Sequence, residues 1–180
     1  MKQIDMILTD IDGVWTDGGL YFSQTAESMK RFSVYDGWGV RYCRNLNIPV
    51  GIITSEDLPM ATLVGNKFKT PYIFTSVSDK LATGRDLAKQ LSIPMERVAY
   101  IGDDLNDIPL LRAVGFSGCP PNAPVWVKRE VDYVCRTQGG YGTFREFVEH
   151  ILQERDDFNR LIEIYSQEGR YTGQCLTYPR

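Results

Sequence analysis

Hydrophobic positions fall into short unbroken runs separated by longer stretches of helical period. Met6-Ile7-Leu8, Pro49-Val50-Gly51-Ile52-Ile53 and Val98-Ala99-Tyr100-Ile101 are brief and bounded by polar residues, as strands buried on both faces require. The pattern predicts strands over 4–9, 49–53, 71–74, 97–101, near 115–118 and over 131–135. It predicts helices over 37–47, 57–68, 78–91, 105–113, 122–129 and 143–165. Pro59 suits the first turn of the second helix. Phe144, Phe147, Val148, Ile151 and Leu152 recur in the last at spacings of three and four. Alternating strands and helices imply an α/β fold, a three-layer Rossmann-like parallel sheet covered on both faces. Residues 18–34 break the alternation. Gly18-Gly19-Leu20-Tyr21-Phe22 and Met29-Lys30-Arg31-Phe32-Ser33-Val34 flank a polar turn at Gln24-Thr25-Ala26-Glu27, which reads as a β-hairpin projecting from the sheet.

Composition narrows the field without choosing within it. The 180 residues are one domain's worth of chain, with 43% hydrophobic and 24% charged residues, an ordinary globular balance. A net charge of −3 with no long basic run calls for neither nucleic acid nor an anionic membrane as partner. The chain runs straight into its first strand, and no apolar stretch is long enough to span a bilayer; a cytoplasmic protein is expected. Cys43, Cys119, Cys135 and Cys175 are scattered, with no CxxC pair. They read as reduced thiols rather than a zinc site or a disulfide framework.

The chemistry gathers where strands end. Asp10 and Asp12 follow Met6-Ile7-Leu8 two residues apart, so on an extended chain they point to one side. Two close carboxylates resist losing both protons, which suits one as an anionic nucleophile and the other as a proton carrier. Alone the pair is equally a solvated turn. Thr54-Ser55 follow the second strand, Lys80 opens a helical pattern, and Val98-Ala99-Tyr100-Ile101 runs into Gly102-Asp103-Asp104-Leu105-Asn106-Asp107. Together these are the groups needed to handle a phosphate: a carboxylate nucleophile, a hydroxyl donor, a cation and a second acidic cluster for a metal. Blander readings stand beside them: Lys80 as a surface lysine, Asp104 as a helix N-cap. The single histidine, His150, lies on the C-terminal helix far from any motif, which excludes a histidine phosphatase. Gly139-Gly140-Tyr141-Gly142 lacks the Gly-Lys-Ser/Thr of a P-loop and reads as a backbone turn.

The order DxDGxxT, Thr/Ser, Lys, GDDxxD resembles the haloacid-dehalogenase-type phosphatases. Asp10-Ile11-Asp12-Gly13-Val14-Trp15-Thr16-Asp17-Gly18, Tyr100-Ile101-Gly102-Asp103-Asp104 and Gly139-Gly140-Tyr141-Gly142-Thr143-Phe144-Arg145-Glu146 are similar to their small capless branch. That branch acts on 3-deoxy-D-manno-octulosonate 8-phosphate and on nine-carbon 2-keto-3-deoxy-sugar-acid 9-phosphates. The resemblance covers roughly residues 1–160. It implies a HAD-like domain over 1–166, with the hairpin in place of a cap domain and 167–180 as a tail.

The resemblance also implies roles. Asp10 is the expected nucleophile, forming an aspartyl-phosphate, and Asp12 the general acid and base. Magnesium is the expected cofactor, bridging Asp10 and phosphate, with Asp103 and the Asp12 backbone carbonyl as further ligands. Thr54 donates to a phosphoryl oxygen, and Lys80 neutralises charge on phosphate and Asp10. Gly13, Val14 and Thr16 are expected to bind the substrate, the first two by offering backbone N–H groups to the phosphate. Asp107 holds Lys80 or a metal-bound water, and Asp104 is a supporting partner or the N-cap. The substrate is a small sugar-acid phosphate, met by Ser55, Glu56 and Lys67. Tyr21, Phe22, Met29 and Phe32 on the hairpin either build a homotetramer interface or pack on their own sheet.

One departure bears on specificity. The octulosonate phosphatases carry Gly-Arg after the second-motif hydroxyl and further arginines on the next helix. Here the run is Thr54-Ser55-Glu56, with no arginine between Arg44 and Arg85. Lys67 is a candidate substitute, though without a bidentate fork. Arg170 or Arg180 of the tail is another, reaching a neighbouring subunit. Two further readings stay open: a capless phosphatase for another metabolite, and a non-catalytic oligomerisation module. The intact Asp10, Asp12, Lys80 and Asp103 set argues against the latter.

Overall fold

β1 (Met6–Thr9) is apolar on both faces and occupies the middle of the fold for that reason. In the computed structural model, which describes residues 3–22, 27–57, 59–155 and 157–167, six strands form one sheet. β1 pairs with β4 (Val50–Ile53) on one side and β6 (Val98–Ile101) on the other. β5 (Tyr72–Phe74) extends the first side; β7 (Phe116–Cys119) and β8 (Tyr133–Val134) extend the second. Every pairing is parallel, and the order is β5-β4-β1-β6-β7-β8. The chain winds outward from β1 to β5, then crosses to β6. Strand order thus reverses beside β1, and the crevice at such a switch point is where open α/β sheets bind ligands.

Alternate strand residues feed two cores. Ile7, Ile52, Ala99 and Ile101 face one, with α1 (Val34–Asn45), α2 (Pro59–Phe68), α6 (Thr143–Glu154) and α7 (Asp157–Gln167). Met6, Leu8, Ile53, Val98 and Tyr100 face the other, with α3 (Lys80–Gln90), α4 (Ile108–Leu111) and α5 (Val125–Lys128). The three-layer expectation therefore holds. β2 (Tyr21–Phe22) and β3 (Glu27–Met29) form the separate antiparallel hairpin. Its turn at 23–26 and the tail at 168–180 lie outside the described residues. Among the described residues no helix is long and apolar enough to cross a membrane.

Several helix boundaries differ from the periodicity, each for a local reason. α1 begins at Val34, not residue 37, because Ser33 caps it, accepting from Tyr35 N. The span 105–113 divides into a 3₁₀ turn, Leu105–Asp107, and α4. The helix expected over 122–129 is confined to Val125–Lys128, since the chain before it forms a turn closed by Ala123 N on the Pro120 carbonyl and Pro124 disfavours a helical conformation at the residue before it. The span 143–165 breaks at Arg155, which bonds the Ile4 carbonyl and pairs with Asp157 at 2.7 Å. His150 stacks on Tyr133 with ring centroids 4.1 Å apart. Cys43, Cys119 and Cys135 are buried free thiols pushed up by burial to about 12, 11 and 12; Cys175 lies outside the described residues.

Trp15 joins the core to the loop that follows β1. It is fully buried, stacks on Phe144 at 4.9 Å, and donates from Nε1 to Thr9 Oγ1 at 3.0 Å. Asp36 of α1, also buried, accepts from Phe144 N and Arg145 N at 3.0 and 3.3 Å, so one helix caps the start of another. Trp15→Ala removes a large buried ring, and a loss of about 3–5 kcal/mol is expected. Urea unfolding checks this: a loss below about 1 kcal/mol would remove Trp15 from the packing account.

Candidate active site

Three strand ends converge beside β1. Asp10 continues the β1 ladder, its N–H bonding the Ile101 carbonyl at 3.0 Å. Its Oδ1 accepts from Ile11 N at 2.7 Å, which turns Oδ2 toward Lys80 at 2.8 Å. Lys80 is the first residue of α3, fixed by Asp79 as N-cap. Its Nζ also donates to Asp107 Oδ1 at 2.6 Å. Lys80 is 3% exposed and Asp107 0%, which excludes the surface-lysine reading.

Asp107 organises the segment after β6. Its Oδ1 accepts from Lys80 and from the buried Tyr100 hydroxyl at 2.5 Å. Its Oδ2 accepts from Asp103 N and Asp104 N at 2.9 and 3.1 Å. Four donors fill the lone-pair sites of a carboxylate, so Asp107 holds Lys80 and the backbone rather than facing a ligand. Asp104 caps the 3₁₀ turn, accepting from Leu105 N at 2.7 Å in a capping box with Asp107. Of its two readings, the N-cap is the one the geometry carries. A side chain at Gly102 would strike the Asp107 carboxyl carbon at 2.4 Å.

Asp10, Asp103 and Asp107 each present an oxygen within 4.8 Å of the others. Burial, then Asp107, pushes Asp10 up to about 7, against the pull of Lys80. Burial, then Asp10 and Asp107, pushes Asp103 up to about 8. Burial works against charge on Lys80, but Asp10 and Asp107 outweigh it and raise its pKa. One ammonium among three carboxylates, Asp10 and Asp107 buried and Asp103 partly so, leaves negative charge uncompensated. Hard oxygen donors in that state suit a divalent cation such as magnesium. With Asp107 saturated, Asp10 and Asp103 are the side chains able to meet it. Gly13 permits this: its φ of +77° is a left-handed conformation, and a Cβ there would lie 1.9 Å from Asp103 Oδ2.

The remaining expected residues separate into those near Asp10 and those that are not. Thr54 is 1% exposed and lines a cavity of about 10 Å³ with Asp12, Lys30, Phe32 and Glu56. Ser55 bonds the Val77 carbonyl and receives Asn106 at 2.9 and 3.2 Å, joining three loops. Thr16 Oγ1 accepts from Gly13 N and Gly18 N and donates to Asp12 Oδ1, so it organises the loop. Gly13 N thus has an internal partner, and Val14 N bonds the Ile11 carbonyl at 3.2 Å. Lys67 lines a separate cavity with Arg41, Arg44 and Lys69, about 10 Å along α2 from Met60 at 1.5 Å per residue.

Three residues outside the expected set belong to the site. Lys30 pairs with Asp12 at 2.8 Å. Tyr100 braces Asp107. Asn122 donates to the Gly13 carbonyl at 3.1 Å and accepts from Gly139 N at 2.8 Å, while Gly140 N bonds the Val14 carbonyl. Only Tyr100 had a local signal, as a phenol inside an otherwise aliphatic buried run. On the hairpin, Tyr21, Phe22 and Met29 are exposed, whereas Phe32 turns inward against the core. A larger groove of about 440 Å³, with Tyr35, Tyr133, Arg136 and Tyr141 in its lining, contains none of the expected site residues.

A carboxylate beside a buried ammonium and a second acidic cluster, at the switch point of a parallel sheet, fits a phosphoric monoester hydrolase. The chain belongs to the haloacid dehalogenase-like hydrolases, whose family model matches residues 53–142. It is 37% identical over 153 residues to the 3-deoxy-D-manno-octulosonate 8-phosphate phosphatase of Haemophilus influenzae, covering 85% of each chain. The corresponding Escherichia coli K12 phosphatase is 36% identical over 154 residues, 84% of this chain and 80% of its own. The Moraxella catarrhalis phosphatase, solved with magnesium, phosphate and KDO, superposes with a TM-score of 0.86 at 31% identity, over 90% of this chain and 93% of that one. The cobalt-bound Haemophilus enzyme gives 0.82 at 36% identity, over 86% and 90%.

The charge balance makes a linked prediction. Asp10 and Asp103 rise from an ordinary 3.8 to about 7 and about 8, so the metal-free fold binds more protons than the unfolded chain over that range. Its stability therefore falls as pH rises through those values. Asp36, raised by burial to about 7, acts in the same direction but independently of metal. Magnesium should raise the melting temperature more at pH 8 than at pH 5.5. An equal increase at both would contradict the carboxylate site.

Proposed function

We propose that this protein is a magnesium-dependent phosphatase of phosphorylated 2-keto-3-deoxy sugar acids. The Asp10–Lys80 contact at 2.8 Å carries the reading, because it combines a nucleophile's anion with a cation for the transferring phosphoryl group. Asp10 Oδ2 attacks phosphorus and forms an aspartyl-phosphate. Lys80 opposes the charge that gathers on the equatorial oxygens, and Thr54 donates to one of them. Asp12 protonates the departing sugar oxygen and then takes a proton from the attacking water. Magnesium held by Asp10, Asp103 and the Asp12 carbonyl would neutralise phosphoryl charge.

The similarity to octulosonate phosphatases supports 3-deoxy-D-manno-octulosonate 8-phosphate as the substrate. Glu56 supports a second reading, a nine-carbon acid 9-phosphate. It lines the cavity beside Asp12 where the octulosonate enzymes carry arginine, and can accept from sugar hydroxyls. A homotetramer fits the exposed Leu20, Tyr21, Phe22 and Met29, which give the hairpin an apolar face suited to burial between subunits.

Phosphate release with magnesium, across eight- and nine-carbon keto-acid phosphates, hexose phosphates and nucleotides, tests the function. Preference for a keto-acid phosphate is expected, with Asp10→Asn losing more than about a thousandfold in kcat. Uniform weak turnover would remove the sugar-acid assignment, and full activity of Asp10→Asn the chemistry. Light scattering should return four subunits; a monomer would refute the tetramer.

A further inference from the structure

The hairpin delivers a cation to Asp12. Lys30 directly follows β3, and its Nζ lies 2.8 Å from Asp12 Oδ1. The chain around it is fastened on both sides. Thr16 and Phe32 form an antiparallel bridge, tying the base of the hairpin to the loop after β1. Arg31 turns the opposite way, as a period of two requires. Its Nη1 donates to the Gly140 carbonyl at 2.8 Å, and its guanidinium covers the Tyr141 ring at 4.2 Å. Lys30 and Phe32 thereby share the face that lines the cavity at Asp12, with Ile11, Thr54 and Met60.

The two oxygens of Asp12 meet different surroundings. Oδ1 accepts from Lys30 and, at 3.3 Å, from Thr16 Oγ1. Oδ2 is buried and meets no hydrogen-bond partner among the described residues. Two donors on one oxygen and none on the other fix the rotation of the carboxyl plane. The Thr16 bond is long for O–H···O, so Lys30 carries most of that restraint.

We propose that Lys30 is a positioning residue for the acid–base carboxylate. It holds Asp12 Oδ1 and so sets the plane of the carboxyl group that serves the leaving-group oxygen. The inference rests on the phosphatase reading. In the first step Asp10 Oδ2 bonds to phosphorus as the bridging P–O bond breaks, and the proton of the Asp12 carboxyl group passes to the departing oxygen. In the second a water oxygen bonds to phosphorus, its proton returns to the Asp12 carboxylate, and the Asp10–phosphorus bond breaks to release phosphate. A carboxyl group rotated out of line serves neither transfer.

Leaving-group dependence separates positioning from general damage. A sugar alkoxide needs a proton to depart, whereas p-nitrophenolate leaves without one. Lys30→Met should lower the single-turnover rate of aspartyl-phosphate formation from the sugar-acid phosphate about 10- to 100-fold and from p-nitrophenyl phosphate less than about threefold. Lys30→Arg should recover most of the loss. Added to Asp12→Asn, Lys30→Met should cost less than a further factor of about two. Equal losses on both substrates, or an undiminished loss in the Asp12→Asn background, would overturn the inference while leaving the phosphatase reading intact. A wild type that hydrolyses neither compound would overturn both. Lys30→Ala carries the same comparison should the methionine variant fail to fold.

Discussion

The Lys80 ammonium, held between Asp10 and Asp107, is the interaction on which the rest of the site depends. Each contact is below 3 Å and each partner is buried. Such a triad contributes little net stability, because desolvation offsets most of the Coulomb attraction. Removing one member is another matter, since it strands a buried charge at a cost of about 3–5 kcal/mol. The triad is therefore best understood as a chemical device that the fold carries. It keeps a cation within reach of Asp10, the carboxylate proposed to attack phosphorus.

From that contact the neighbouring geometry follows. Asp107 can grip Lys80 because Tyr100 and two backbone N–H groups hold it still. The same two N–H groups fix the chain at Asp103, whose carboxylate then rests against a residue with no side chain, Gly13. Asp10 is fixed by its place at the end of β1, the strand beside which the winding of the sheet reverses. Three loops are thus locked to one another through charged groups, and the parallel sheet sets their spacing. The hairpin adds a fourth element, which reaches the same point through Lys30 rather than by covering it as a domain.

Much of this was legible in the sequence, for identifiable reasons. The central strands are continuously apolar, so their ends, and the carboxylates that follow them, are marked by the change in pattern. Lys80 was legible as the start of a helix but not as a buried residue, because one lysine at a helix N-terminus looks the same either way. Lys30 and Asn122 gave no signal. Each acts across more than a dozen residues of sequence, through contacts that no periodicity encodes. Lys67 shows the opposite case: its place on the helix after the second motif suggested the site, and the fold sets it in a separate cavity with Arg41, Arg44 and Lys69. The backbone N–H groups of Gly13 and Val14 have partners within their own loop, which the motif alone did not reveal.

The central claim is that Asp10 becomes phosphorylated during turnover. Following the configuration at phosphorus through hydrolysis of a substrate with an isotopically chiral phosphoryl group tests it most directly. Two successive in-line displacements, first by Asp10 and then by water, predict net retention. Net inversion would mean that water attacks the substrate directly, and that Asp10 and Lys80 serve some purpose other than covalent catalysis.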